Sequence, residues 1–197
     1  MIYRNLKNCH FSGSDNLELI LSLGLLPPVN QMFKIGERLK EQFFFPAELY
    51  FCPISKLVQL GIIVDKLILF PKEYPYTSST TKILRENFQE LSDEVFKKFK
   101  LESEDLIIDI GSNDGNLLSN FKNKIKVLGI TPEDTGQSAI SRGIPTILNY
   151  FTPIVSKKIK KEYGLAKIIT ATNVFAHIDN PSNVLNSIYN LLHNDGI

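Results

Sequence analysis

Only two cysteines, Cys9 and Cys52, occur in the 197 residues. Two are too few for a disulfide scaffold, and a reducing compartment keeps them as thiols. Neither sign of charge is in excess: 22 Lys and Arg stand against 21 Asp and Glu, which leaves no electrostatic footprint for wrapping a nucleic acid. Long apolar runs are also missing. No stretch approaches the roughly 18 to 20 residues a membrane span requires, and MIYRNLKNCH at the N-terminus lacks the apolar core of a secretory signal. These absences exclude a nucleic-acid partner and a membrane, and they point to a cytoplasmic protein. With 43% hydrophobic residues, the chain can bury one good core, or one core and a small satellite domain.

The pattern along the chain divides it in three. Residues 1–79 are irregular, with paired Pro27 and Pro28 and further prolines at 46, 53, 71 and 75. FFFPAELYFC and LVQLGIIV are the expected strands there, because aromatic and β-branched residues crowd them and Pro or Gly punctuates them. The result is a small mixed α+β domain with a thin core, the kind of domain in which a metal staple is common. Residues 80–100 form a connecting helix, because Leu84, Phe88, Leu91, Val95 and Phe99 recur at helical spacing behind the candidate caps Ser79 and Thr80. Residues 101–197 alternate regularly. The strands LIIDI, IKVLGI, IPTILN and AKIITAT are each followed by a helical segment, which predicts a four-stranded parallel sheet of the α/β, Rossmann-like class. A parallel sheet of four strands exposes an apolar edge beside its fourth or first strand unless a partner covers it.

In open α/β sheets ligands settle beyond the carboxyl ends of the strands, and the first strand-to-helix turn is the usual cradle. Here that turn is GSNDG, Gly111 to Gly115. Gly111 lets the backbone leave the strand sharply, and Gly115 admits a ligand or a helix without a Cβ in the way. Ser112, Asn113 and Asp114 offer amides and short polar side chains between them. The full G-x-G-x-x-G dinucleotide fingerprint is missing, so the spacing alone leaves open a nicotinamide or flavin ligand and a glycine turn that only shapes the fold.

IIDIGSNDGNLL resembles the first cofactor motif of the S-adenosylmethionine-dependent sugar C-methyltransferases, and further stretches of that family are matched in order by LSLGLLPPVNQMF, FCPISKLVQL, YPYTSS, VLGITP, GIPTI and TNVFAHIDN. The similarity covers nearly the whole chain. It implies a small zinc-binding-like N-terminal domain, a methyltransferase domain and a further C-terminal domain. The chain stops before that last part, so the resemblance is to a truncated, N-terminal half. It also implies transfer of a methyl group from S-adenosylmethionine to a carbon of a nucleotide-linked keto sugar. Such a reaction needs a base for the proton beside the ketone and a donor for the developing enolate oxygen. On this resemblance Asp109, Gly111, Ser112, Asn113, Asp114 and Gly115 bind the cofactor, with Asn173 and Val174 at its methionine end, while Tyr76 and His177 reach toward the sugar. Packing roles for Tyr76 and His177, with their polar atoms satisfied, stand beside that reading.

Three features depart from the resemblance. The family's zinc is held by two Cys-x-x-Cys pairs, and here they read CHFS and CPIS, with Ser12 and Ser55 in place of two thiols. A structural zinc site wants four thiolate or imidazole ligands, so zinc is not expected, and Cys9 and Cys52 read as small buried hydrophobes. At the end of the second strand, about 20 residues past the glycine turn, an acidic side chain normally takes the ribose hydroxyls. Here that position is Thr131, and Glu133 lies two residues on, past Pro132. Finally, the family's Tyr-x-Glu-His segment, which supplies base and sugar contacts, has no counterpart in the chain. Two readings stand: a cofactor half working with a separate C-terminal chain as a split methyltransferase, or a catalytically inactive remnant or binding module. Activity of the chain by itself is not expected under either.

Overall fold

A computed structural model describes residues 2–32, 35–36 and 41–197. Phe33, the last residue of the LSLGLLPPVNQMF stretch, lies outside the described residues. Contacts divide the chain into two compact units, Met1–Pro71 with Asp179–Ser182, and Lys72–Ile178 with Asn183–Ile197. No helix among the described residues is long and apolar enough to cross a membrane.

The N-terminal unit is built from short antiparallel strands. Tyr3–Asn5 (β1) pairs with Ile62–Val64 (β5), and Glu18–Leu26 (β2), Phe45–Phe51 (β3) and Val58–Leu60 (β4) form a sheet in the order β2-β3-β4. A single helical turn follows at Lys66–Leu69 (α1), capped by the Asp65 carboxylate, which accepts from the Leu67 amide at 2.9 Å. Strands β3, β4 and β5 coincide with the two apolar runs expected to be strands. β2 was not expected. Its leucines alternate with Ser22 and Gly24 only over residues 21–25 and run together on either side, and its pairing with β3 shifts register around Gly24, which sits at φ 75°. That period-2 signal is short and interrupted by a glycine, and the strand is held by its antiparallel pairing with β3.

The C-terminal unit begins with the helix Lys82–Lys98 (α2), whose Phe88 and Val95 are buried and whose Leu84, Leu91 and Phe99 pack partly against the same core. Then come Leu106–Ile110 (β6), Asn116–Ser119 (α3), Lys126–Ile130 (β7), Gly136–Ser141 (α4), Thr146–Ile147 (β8), Pro153–Tyr163 (α5), Ile168–Thr170 (β9), a 3-10 turn at Phe175–His177, and Pro181–Leu191 (α6). The sheet is parallel throughout, in the order β8-β7-β6-β9. Every residue of β6 is buried, as a strand covered on both faces must be. Ile107 joins Leu117, Leu118, Phe121 and Ala139 on one face, while Leu106, Ile108 and Ile110 join Val155, Ile159 and Leu191 on the other. Each of the larger side chains among them contributes about 1.5 to 3 kcal/mol through burial.

The sheet order selects between the two edges expected, since the fourth strand, β9, is an edge and the first is not. The first strand, β6, is central and has neighbours on both sides; the edges belong to β8 and β9. Along β9 the Ile197 amide donates to the Lys167 carbonyl at 2.9 Å, and the Ile169 amide donates to the Ile197 carbonyl at 2.8 Å.

Candidate ligand site at the strand ends

Parallel pairing of β7, β6 and β9, with Ile110 opposite Ile130 and Asp109 opposite Thr170, lays three strand ends side by side. From them emerge the glycine turn, the Thr131–Glu133 segment and the Asn173–Val174 loop, so the topology gathers ten of the expected residues at one end of one sheet. The turn is tight: Gly111, Asn113 and Gly115 all have left-handed backbone, at φ 75°, 51° and 76°. Internal packing accounts for both glycines. A Cβ on Gly111 would lie 2.3 Å from Cγ2 of Val174, and one on Gly115 would meet Ile144 at 2.8 Å and Ala139 at 2.9 Å. Gly115 therefore admits a helix. The turn's first amides are also engaged, since Gly111 and Ser112 both donate to the Ile130 carbonyl, at 2.8 and 3.1 Å.

The polar side chains of the turn do something the spacing alone did not suggest. Oδ1 of Asn113 accepts from the Ser78 amide at 2.9 Å, and its Nδ2 donates to the Tyr76 carbonyl at 3.1 Å. The Ser78 hydroxyl donates to Oδ1 of Asp114 at 2.6 Å, and Nδ2 of Asn116 donates to the Ser78 carbonyl at 3.1 Å. Asn113, Asp114 and Asn116 thus tie YTSS to the turn and set Tyr76, half-exposed at 46%, beside it. Burial pushes the Asp114 carboxyl up, but hydrogen bonds from Ser78 and Ser79 and the Arg142 guanidinium, 3.4 Å away, outweigh it and hold the group below its ordinary value. Ser78, Asn116 and Arg142 were missed by motif reading. Ser78 lay inside a quoted motif, but serine in a loop carries no signal of its own.

Asp109 plays a different part. It is buried within β6, and its Oδ1 accepts from the Thr170 hydroxyl at 2.7 Å. Burial raises its carboxyl to about 7 despite that bond. It braces β6 against β9 beneath the turn.

Two observations bear on whether the residues fit an adenosyl cofactor. Ser112 is 4% exposed, and its hydroxyl, lying over Gly129, has no hydrogen-bond partner among the described residues. An unsatisfied buried hydroxyl costs about 1 to 3 kcal/mol, which a polar ligand atom would recover. At the end of β7 the Thr131 hydroxyl donates to Oε2 of Glu133. Pro132 does not prevent the reach back, and a carboxylate is present where Thr131 alone would leave none. Asn173, at φ 57°, is exposed, Val174 packs on Gly111, and His177 is exposed in the 3-10 turn with its amide donating to the Val174 carbonyl at 2.9 Å. The residues present fit the group.

Residues 79–197 match the family described as a methyltransferase domain, and residues 9–70 match one described as "Putative zinc binding domain". The chain is 28% identical over 198 residues to C-methyltransferase NovU of Streptomyces niveus, covering 100% of this chain and 47% of that protein. It therefore spans about half the length of the curated relative it matches. Similar solved structures include the plantazolicin methyltransferase BpumL in complex with a pentazolic desmethylPZN analog and SAH, at 19% identity and a TM-score of 0.46 over 58% of this chain and 45% of that one. Another is a SAM-dependent methyltransferase from Geobacter sulfurreducens in complex with S-adenosyl-L-homocysteine, at 14% identity and a TM-score of 0.42 over 63% and 49%.

Proposed function

Because the chain belongs to the methyltransferase-domain family, matched over residues 79–197, we propose that the ends of β6, β7 and β9 hold S-adenosylmethionine. In this reading the chain supplies the cofactor half of a C-methyltransferase acting on a nucleotide-linked keto sugar. The observation that carries it is the carboxylate of Glu133, brought back to the end of β7 by the Thr131 hydroxyl. There it takes the ribose hydroxyls, as an acidic residue at that position does in doubly wound folds. The GSNDG turn, with the unpartnered Ser112 hydroxyl, and Asn173 and Val174 receive the methionine end. The bound cofactor supplies an electrophilic methyl group. Tyr76 and His177, at opposite sides of the turn in sequence, handle the sugar proton and the oxygen that gains charge.

Calorimetric titration with S-adenosylhomocysteine tests this reading. A charge-assisted hydrogen bond to ribose is worth about 1.5 to 3 kcal/mol. Glu133→Gln should therefore weaken binding on the order of ten- to a hundredfold. Absent binding to the natural chain, or equal binding to both proteins, sinks the assignment. A second reading, a non-catalytic ligand-binding module, is favoured by one observation: the side chains of Asn113 and Asp114 are committed to Tyr76 and Ser78. Binding of the homologue together with no methyl transfer after a C-terminal half is added would select it.

A further inference from the structure

The N-terminal unit contains the same turn twice. In Cys9-His10-Phe11-Ser12-Gly13 and in Cys52-Pro53-Ile54-Ser55-Lys56, the residue after the serine has left-handed backbone, at φ 70° for Gly13 and 61° for Lys56. Its amide donates to the cysteine carbonyl, at 3.0 Å from Gly13 and 2.8 Å from Lys56. The cysteine amide in turn donates five residues on, Cys9 to the Ser14 carbonyl at 2.8 Å and Cys52 to the Leu57 carbonyl at 2.9 Å. A lysine rarely adopts that conformation, so the second turn holds it against its own preference.

The side chains cross between the turns. Sγ of Cys9 lies 3.1 Å from Oγ of Ser55, and Oγ of Ser12 lies 3.4 Å from Sγ of Cys52, joining positions 46 and 40 residues apart. Both cysteines are buried. They are not the plain hydrophobes the sequence suggested, because each sulfur has a hydroxyl partner. Hydrogen bonds from Ser12 and Ser55 hold the Cys52 thiol down at about 6.

This arrangement does not fit zinc. A structural zinc takes four thiolate or imidazole ligands, and two hydroxyls do not replace two of them. Among the described residues no group of three or more His, Cys, Asp and Glu side chains is placed to hold a metal. His10, beside Cys9, turns its amide to Oε1 of Gln59 at 3.0 Å. The dimensions are nevertheless close to those of a metal site. Four sulfurs about a zinc, at Zn–S of about 2.3 Å, stand about 3.8 Å apart. The crossed contacts here are shorter because oxygen is smaller than sulfur.

We infer that Cys9, Ser12, Cys52 and Ser55 form a metal-free clamp, in which crossed sulfur–hydroxyl hydrogen bonds join two turns that have the backbone geometry of a four-ligand metal site. The clamp does what a bound metal does for a thin core: it ties the segment before β2 to the segment between β3 and β4. Two exchanges of hydroxyl for sulfur would turn it into a metal site.

The test compares the natural chain with the double variant Ser12→Cys/Ser55→Cys. The natural chain, purified without chelator, should carry no stoichiometric zinc by elemental analysis. Its thermal midpoint should not move in EDTA, and added Co(II) should produce no tetrahedral d–d bands. The double variant should take up one equivalent of Co(II) with the intense visible bands of tetrathiolate coordination, lose them to Zn(II), and melt at a higher temperature with metal than without. Ser12→Ala/Ser55→Ala should lower the midpoint equally with and without EDTA. One zinc retained per natural chain, or a natural chain destabilised by EDTA, overturns the inference. A double variant with the natural circular dichroism spectrum but no tetrahedral cobalt bands overturns it as well.

Discussion

Strands β2 and β6 are both rich in leucine and isoleucine, yet every residue of β2 is exposed and every residue of β6 is buried. The N-terminal unit buries Cys9, Phe45, Cys52 and Ile62 as its apolar core, whereas the C-terminal unit encloses two extended clusters on the faces of one sheet. Apolar content was therefore not what decided burial. Helices covering both faces did so for β6, and among the described residues no helix covers β2. The thinner unit relies instead on specific hydrogen-bonded links, the crossed Cys–Ser contacts foremost.

Truncating one side chain in each region should give the widest contrast. Leu118, at 0% exposure, should cost about 2 to 5 kcal/mol as Leu118→Ala, through lost transfer and an unfilled cavity. Leu23→Ala in β2, at 57% exposure, should stay within about 0.5 kcal/mol. Urea unfolding of the two variants measures the difference, and equal losses would mean that β2 is covered in solution.

Gly111→Ala comes next, on the order of 2 kcal/mol, because a left-handed backbone and the Val174 methyl both oppose a Cβ. Stability and S-adenosylhomocysteine affinity should fall together, since the displaced Val174 belongs to the same strand-end site. An affinity loss without a stability loss would assign Gly111 to ligand approach rather than packing.

The smallest effects are in pH dependence, and the two units should respond in opposite directions. Asp109 titrates near 7 in the fold and near 4 when unfolded, so between those values the folded chain holds the extra proton. Its contribution is complete below about pH 4 and is lost as pH rises through about 7. Asp109→Asn, which still accepts from Thr170, should flatten that decline. Cys52 is lowered from its ordinary value of 9.0 to about 6, so the folded chain sheds its proton first. The stability it contributes is present above the ordinary value and lost as pH falls through about 6, and Cys52→Ser should remove that dependence. Hydrogen exchange read separately over residues 45–64 and 106–130 follows both, and parallel pH trends in the two segments would refute the contrast.

Much of the C-terminal unit was legible because its signals are local. β6 reads as a continuous apolar run, α2 as a helical stripe, and Gly111 as the only residue type that turns so sharply after a strand. Motif reading assigned Asn113 and Asp114 to a ligand, and the fold gives both side chains partners within the chain. Their bonds to Ser78, 35 and 36 residues away, have no local signature. β2 escaped for a related reason: its alternation is confined to residues 21–25, and its pairing with β3 is not written in its own residues.

The sequence by itself determined the order of strands and helices in the C-terminal unit, the position of the tight turn, and the shortage of thiols that rules out a four-cysteine metal site. These follow from backbone preferences and residue chemistry, which act within a few residues. Only the tertiary structure decided that β6 lies at the centre of the sheet, that the Glu133 carboxylate folds back onto the Thr131 hydroxyl, and that Cys9 meets Ser55 while Cys52 meets Ser12. Each depends on how the packed chain orients side chains or pairs distant segments, and residue spacing does not encode that.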